Sequence, residues 1–293
     1  MMWEMHTTAG TVPRPGVELY YEVTGSGPPI VFAHGLGGNH LSWWQQVPYF
    51  APRYTCVTFA HRGFAPSFTS ADPNDWDPAH YLDDLAALID HLELPSVTLV
   101  AQSMGGWSCL EYTLRHPDRV TSLVMAATGG TLDLATLDAP ASHAVLQWYA
   151  AHEKVNEDLF RRGIHPAAGE RMASEQPALH FLYREIDRLS SGRLDKVALR
   201  KKLAAMRTRP VCDLQNMRTP VLFVAGEEDV VFPLAGAEAL AALTPGAQLQ
   251  VARQTGHSVY FERAGFFNQK VEAFLAGRTI SSAPTNIPDR ARN

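Results

Sequence analysis

Short runs in which most positions are apolar recur along the chain, at residues 29–33, 55–59, 97–101, 122–126 and 221–225. Strands covered by helices on both faces carry this near-continuous pattern, so these runs predict buried strands of a parallel sheet. Residues 17–23 and 249–251 read as additional strands. Between the runs the spacing of apolar positions changes to the helical period. Residues 81–92, stopped by Pro95, and 105–115, stopped by Pro117, are amphipathic, as are 235–243 and 266–275. Strand and helix in alternation predict an α/β domain with a doubly wound, mostly parallel sheet.

The rhythm breaks at residues 128–219. No β-rich run stands there, and helical patterns such as 144–149 and 199–206 dominate. The organisation expected is therefore a core of residues 1–127 and 220–278, a helical insertion at 128–219, and a polar tail at 279–293, flexible because it holds two prolines and little to bury. Neither an internal repeat nor a low-complexity tract interrupts this plan.

The chemistry concentrates where strand gives way to helix. In LVAQSMGGW, residues 99–107, an apolar strand ends at Ala101 and a helix starts after Ser103, with small Ala101 and Gly105 on either side of the serine. A sharp turn of this kind exposes a hydroxyl and aims the helix N-terminus at whatever binds there, which favours an oxyanion. Small-x-Ser-x-Gly alone is a weak signal, and Ser103 read in isolation is a nucleophile or a helix cap. A serine nucleophile needs a base and a group that orients the base. Of the 12 histidines, His257 has the best position, in a turn-like segment between a late strand and the last helix. Asp229 follows the strand at 221–225, at the strand edge where doubly wound sheets form their sites, with Glu227 and Glu228 as alternatives beside it.

Composition removes several classes of function. The 293 residues carry 25 Lys and Arg against 30 Asp and Glu, a formal charge of -5, with no dense basic run, so no nucleic-acid partner is expected. Three widely spaced cysteines, Cys56, Cys109 and Cys212, make neither a disulfide framework nor a zinc ribbon. No apolar run approaches the roughly 18 residues of a membrane span, and the first ten residues lack a basic segment followed by an apolar one. A cytoplasmic protein without a membrane partner is expected. Metal-ligand spacings such as H-E-x-x-H are absent, so no metal or cofactor is expected.

Four motifs in register resemble the α/β-hydrolase superfamily: His34-Gly35-Leu36-Gly37-Gly38 after the first buried strand, Ala101-Gln102-Ser103-Met104-Gly105-Gly106, Gly226-x-x-Asp229 with Pro233, and Gly256-His257. Nucleophile, acid and histidine stand in the chain order of that fold. The resemblance spans residues 17–275 and implies a Ser103, His257, Asp229 triad, with the backbone N–H groups of Leu36 and Met104 as oxyanion hole. It further implies that His34 braces its loop, that His61-Arg62-Gly63 is structural, and that the insertion is a cap that builds the pocket. Gln102, Trp107 and Trp148 are expected to line that pocket, as are Tyr149, Phe160, Phe181, Leu182 and Tyr183, and the Trp43-Trp44 pair is a further candidate.

Serine favours acyl chemistry over alkyl displacement, which related enzymes perform with aspartate. The expected reaction is hydrolysis of carboxylic esters or lactones with an apolar acyl or alcohol group, through an acyl-enzyme. Three alternatives share the fold. Carbon–carbon bond hydrolases of ring-cleavage products typically have Asn and Trp where Gln102 and Ser258 stand here, and would use Arg184 or Arg188 for a substrate carboxylate. Cofactor-free dioxygenases share the Gly105-Gly106-Trp107 sequence, and a non-catalytic receptor could retain an intact triad.

Overall fold

The expected strands pair side by side in a computed structural model that describes residues 6–69, 76–191 and 194–277; the tail predicted at 279–293 lies outside the described residues. In chain order the strands are β1 (Thr7–Arg14), β2 (Val17–Thr24), β3 (Pro29–Ala33), β4 (Thr55–Phe59), β5 (Phe68–Thr69), β6 (Val97–Gln102), β7 (Val120–Ala126), β8 (Leu132–Asp133), β9 (Arg209–Pro210), β10 (Val221–Gly226) and β11 (Gln248–Ala252). The main sheet runs β1-β2-β4-β3-β6-β7-β10-β11, with β5 against β2. From β4 to β11 all neighbours are parallel, whereas β1 and β2 are antiparallel. β1 departs from the sequence expectation. Its residues TTAGTVPR are mostly exposed and polar, and backbone pairing to β2 makes it a strand where no apolar pattern does.

The helices are α1 (Val47–Phe50), α2 (Tyr81–His91), α3 (Gly105–Arg115), α4 (Ala139–Arg161), α5 (Gly169–Glu175), α6 (Pro177–Ser191), α7 (Lys196–Ala205), α8 (Leu234–Leu243), α9 (Val259–Glu262) and α10 (Ala264–Leu275). Side chains alternate between the two faces of a strand, so each buried strand feeds two cores. Val31, Leu99, Leu123 and Phe223 pack with Leu85, Leu88, Leu110 and Leu240 of α2, α3 and α8. Ile30, Phe32, Val124 and Leu222 pack on the other face with Phe50, Phe267 and Val271.

Residues between β7 and β10 are mainly helical, but the insertion is narrower than 128–219. β8 and β9 pair in parallel at its neck, Leu132 with Arg209 and Asp133 with Pro210. Val211 and Leu214 beyond that neck belong to the main core. Helices α4 to α7 emerge from this neck. Register then fixes the edge that matters: Ala33 lies beside Ala101, Gln102 beside Ala126, and Gly226 beside Ala252. The loops that follow β3, β6, β10 and β11 all leave the sheet at its C-terminal edge.

Candidate active site

Ser103 caps β6 in the left-handed region, at φ +48°, a conformation costly for a residue with a side chain and held by its surroundings. Its N–H donates to Ala126 O at 3.0 Å, and Gly106 N–H returns to Ser103 O at 2.9 Å, so both sides of the turn are fastened. α3 then starts so close to β3 that a methyl on Gly105 would stand 2.2 Å from Ala33 O, which explains the small residue there. Ser103 is half-buried between fully buried Gln102 and Met104. Ser103 is the accessible residue of the turn.

Asp229 and His257 meet from the loops after β10 and β11. His257 Nδ1 lies 2.8 Å from Asp229 Oδ2, and Asp229 Oδ1 accepts from the N–H groups of Val231 at 2.7 Å and Phe232 at 3.0 Å. With a carboxylate as acceptor, Nδ1 is the protonated nitrogen and Nε2 keeps its lone pair. The neighbours are occupied elsewhere: Glu227 accepts from Gln254 N–H at 3.0 Å, and Glu228 holds Arg171. Asp229 is therefore the partner among the three acids. No hydrogen bond joins Ser103 to His257, whose side-chain bond runs to Asp229; such a contact is often long until substrate binds.

The loop after β3 lies against the elbow. A side chain on Gly35 would meet Ser103 Cβ at 3.2 Å, and Leu36 packs with Met104. Among the described backbone hydrogen bonds none uses the N–H of Leu36 or of Met104. His34 braces this loop: Nδ1 donates to Gly35 O at 2.8 Å and Nε2 accepts from His61 N–H at 2.9 Å. Both roles require a neutral ring, and burial pulls its pKa down to about 3. Next to it Arg62 forms a buried fork on Asp84, with both bonds 2.5 Å.

The predicted pocket residues fare unevenly. Gln102 is buried, with its Oε1 against Gly35, so it supports the loop instead of facing a substrate. Trp107 spends its indole N–H on Leu203 O of α7 at 3.0 Å, and pins the insertion to α3. Trp148 stacks on His152 at 3.9 Å, one turn along α4, because their i, i+4 spacing places both rings on one face. Phe160, Phe181 and Leu182 are exposed, as is Trp44, whereas Trp43 is core beside Phe32 and Tyr260. Arg188 pairs with Glu185 on the surface and Arg184 is exposed, so neither is placed to bind a substrate carboxylate. The residues that do reach the site are Tyr183, whose hydroxyl accepts from Ser258 Oγ at 3.3 Å beside His257, and Leu199 and Leu203 of α7, which pack with Leu36 and Met104. Two cavities of about 580 and 440 Å³ flank the insertion, the first behind Trp107 and the second at Gly256; neither is lined by Ser103, Asp229 or His257.

Sequence reasoning missed Glu262. It is 5% exposed, five residues past His257, and its carboxyl accepts from Gly256 N–H at 2.9 Å. The one signal available was an acid inside the apolar stretch Val259-Tyr260-Phe261-Glu262. Among the described residues no group of three or more His, Cys, Asp or Glu could hold a metal ion, and no helix is long and apolar enough to cross a membrane.

Comparison with known proteins agrees with this fold. A family model described as the alpha/beta hydrolase fold matches residues 28–264. The chain is 28% identical over 275 residues to 3-oxoadipate enol-lactonase 2 of Acinetobacter baylyi, covering 90% of this chain and 96% of that protein. It is 29% identical over 280 residues to 2-hydroxy-6-oxo-2,4-heptadienoate hydrolase of Pseudomonas putida, covering 89% and 94%. The solved structure of Est816, described as an N-acyl homoserine lactone degrading enzyme, superposes with a TM-score of 0.72 at 26% identity, covering 90% of this chain and 99% of that one. With its sheet order, elbow and family match in agreement, the chain belongs to the α/β-hydrolase fold family.

Proposed function

We propose that this hydrolase-family protein cleaves small carboxylic esters or lactones through an acyl-enzyme formed on Ser103. The observation that carries the reading is the 2.8 Å bond from His257 Nδ1 to Asp229, which leaves Nε2 as the basic nitrogen on the sheet edge that also presents Ser103. Ser103 Oγ attacks the carbonyl carbon while its proton passes to His257 Nε2. Asp229, held by two backbone N–H groups, orients the imidazole and stabilises its charged form. The negative oxygen of the tetrahedral intermediate accepts from Leu36 and Met104 N–H, at the positive end of α3. Collapse expels the alcohol with the proton from His257, and water repeats the sequence to release the acid. In a lactone the alcohol stays tethered to the acyl group, and the same steps open the ring.

The surroundings of the hole are apolar: Leu36, Met104, Leu199 and Leu203 cluster there, which suits a substrate with an apolar acyl or alcohol group. Two of the three similar proteins above carry lactone cleavage in their descriptions, which supports the same bond class. The test is pre-steady-state release of nitrophenol from p-nitrophenyl butyrate, with ring opening of γ- and δ-lactones followed in parallel. A burst equal to the enzyme concentration, lost in Ser103→Ala, is the expected result; steady release at the wild-type rate by Ser103→Ala sinks the reading.

A further inference from the structure

The peptide group between Thr255 and Gly256, one residue before His257, is clamped from both sides. Its carbonyl, on Thr255, accepts from Glu228 N–H at 2.9 Å, in the loop that carries Asp229. Its N–H, on Gly256, donates to Glu262 Oε2 at 2.9 Å. Glu262 reaches back because α9 is a single turn that begins beside His257, with Glu262 N–H bonded to Ser258 O at 2.9 Å. The two loops touch backbone to backbone: a methyl on Gly226 would stand 2.1 Å from Gly256 O. Rotation of the 255–256 peptide therefore moves His257 relative to Asp229, and the two hydrogen bonds oppose that rotation. Glu262 is nearly inaccessible, and its second oxygen has no partner. A buried carboxyl held at one oxygen by one amide is a costly arrangement for a purely structural group.

We propose that Glu262 is a positioning residue for His257: its carboxylate grips the Gly256 N–H and fixes the pose from which the imidazole takes the Ser103 proton. The assignment rests on the triad reading above. It also sets a pH dependence. Burial pushes the Glu262 carboxyl up to about 7, partly offset by the Gly256 bond; Arg263 beside it, and Arg171 of α5 opposite, favour the charged form, and Glu228 disfavours it. Arg171 is itself neutralised by Glu228 and Glu175, and Glu175 lies 4.0 Å from Arg263. An ionised carboxylate accepts an N–H about twice as strongly as a neutral acid. The grip strengthens as Glu262 loses its proton.

The experiment compares Glu262→Gln, which keeps an oxygen acceptor, with Glu262→Met, which has similar bulk and only a weakly accepting thioether, on p-nitrophenyl butyrate. Glu262→Met is expected to lower kcat roughly tenfold or more with KM within about twofold, as for a displaced catalytic group. Glu262→Gln restores most of kcat at pH 8. Wild-type kcat in a folded Glu262→Met overturns the proposal, as does equal damage in both variants. Should Glu262→Met not fold, Glu262→Ala decides on the same kcat and KM readout, and wild-type kcat there overturns it. Ser103→Ala separates the two levels: if it remains active the triad reading fails, whereas if it is inactive and Glu262→Met is unaffected only the positioning role fails.

Discussion

Replacing Asp229 with Asn isolates one link of the proposed mechanism. Oδ1 is committed to the Val231 and Phe232 N–H groups at 2.7 and 3.0 Å, and an Asn carbonyl oxygen can keep both bonds. The amide NH2 then occupies the place of Oδ2, 2.8 Å from His257 Nδ1. A donor now faces a donor, so the imidazole moves its proton to Nε2, the nitrogen that must accept from Ser103. The alternative amide orientation would set the NH2 against two backbone N–H groups, so the arrangement has no escape. The wrong tautomer in a serine triad costs on the order of 10³ to 10⁴ in kcat, about 4 to 5.5 kcal/mol at 1.36 kcal/mol per tenfold. Stability falls by much less, about 1 kcal/mol, because the exchange replaces a hydrogen bond to a charged group with a neutral one and keeps the backbone pair. Steady-state hydrolysis of p-nitrophenyl butyrate at pH 8, with thermal unfolding of the same samples, reads both quantities. A folded Asp229→Asn that retains more than about a tenth of wild-type kcat would refute the reasoning.

Gly105→Ala should cost about 3 kcal/mol in urea unfolding, since the methyl would sit 2.2 Å from Ala33 O and the obstacle is strand backbone; a loss below about 1 kcal/mol contradicts the packing argument. Glu262 gives a pH-dependent stability of defined sign. Its folded pKa, raised from 4.5 to about 7, means that the folded state holds the proton more tightly, so stability falls as pH rises through that window, by roughly 3 kcal/mol at 1.36 kcal/mol per unit. The difference in unfolding free energy between Glu262→Gln and the wild type should therefore grow in favour of the variant from pH 4.5 to 7 and level off above it, and a difference that does not change with pH contradicts the assignment. Trp107→Phe removes the N–H that holds Leu203 O and should lower stability by about 1 kcal/mol, which an unchanged melting midpoint would disprove.

The parallel strands were legible because burial on both faces leaves few polar positions: 29–33, 55–59 and 221–225 coincide with β3, β4 and the first five residues of β10. Pro117 likewise set the end of α3, and the strand, small residue and serine set the elbow with its positive φ. The polar edge strand β1 was hidden, since pairing to β2 supplies what its side chains do not. Three adjacent acids at 227–229 were indistinguishable by type; their hydrogen-bond partners, set by how the β10 and β11 loops cross, separate them. The insertion misled most. Phe160, Phe181 and Trp148 have the composition of a pocket, but which face of a helix meets the core depends on the angle at which helices leave the β8–β9 neck. Tyr183 reaches the site while its neighbour Leu182 does not, a difference of one residue and about 100° around α6.

Labelling with a fluorophosphonate probe and locating the adduct by mass spectrometry tests the central claim most directly, because the probe reacts only with a serine that has a working base and oxyanion site. The account predicts a single stoichiometric adduct on Ser103, loss of ester hydrolysis in step with labelling, and no adduct in Ser103→Ala or His257→Gln. Protein that hydrolyses esters fully while Ser103 stays unlabelled, or that keeps its activity as Ser103→Ala, would contradict it.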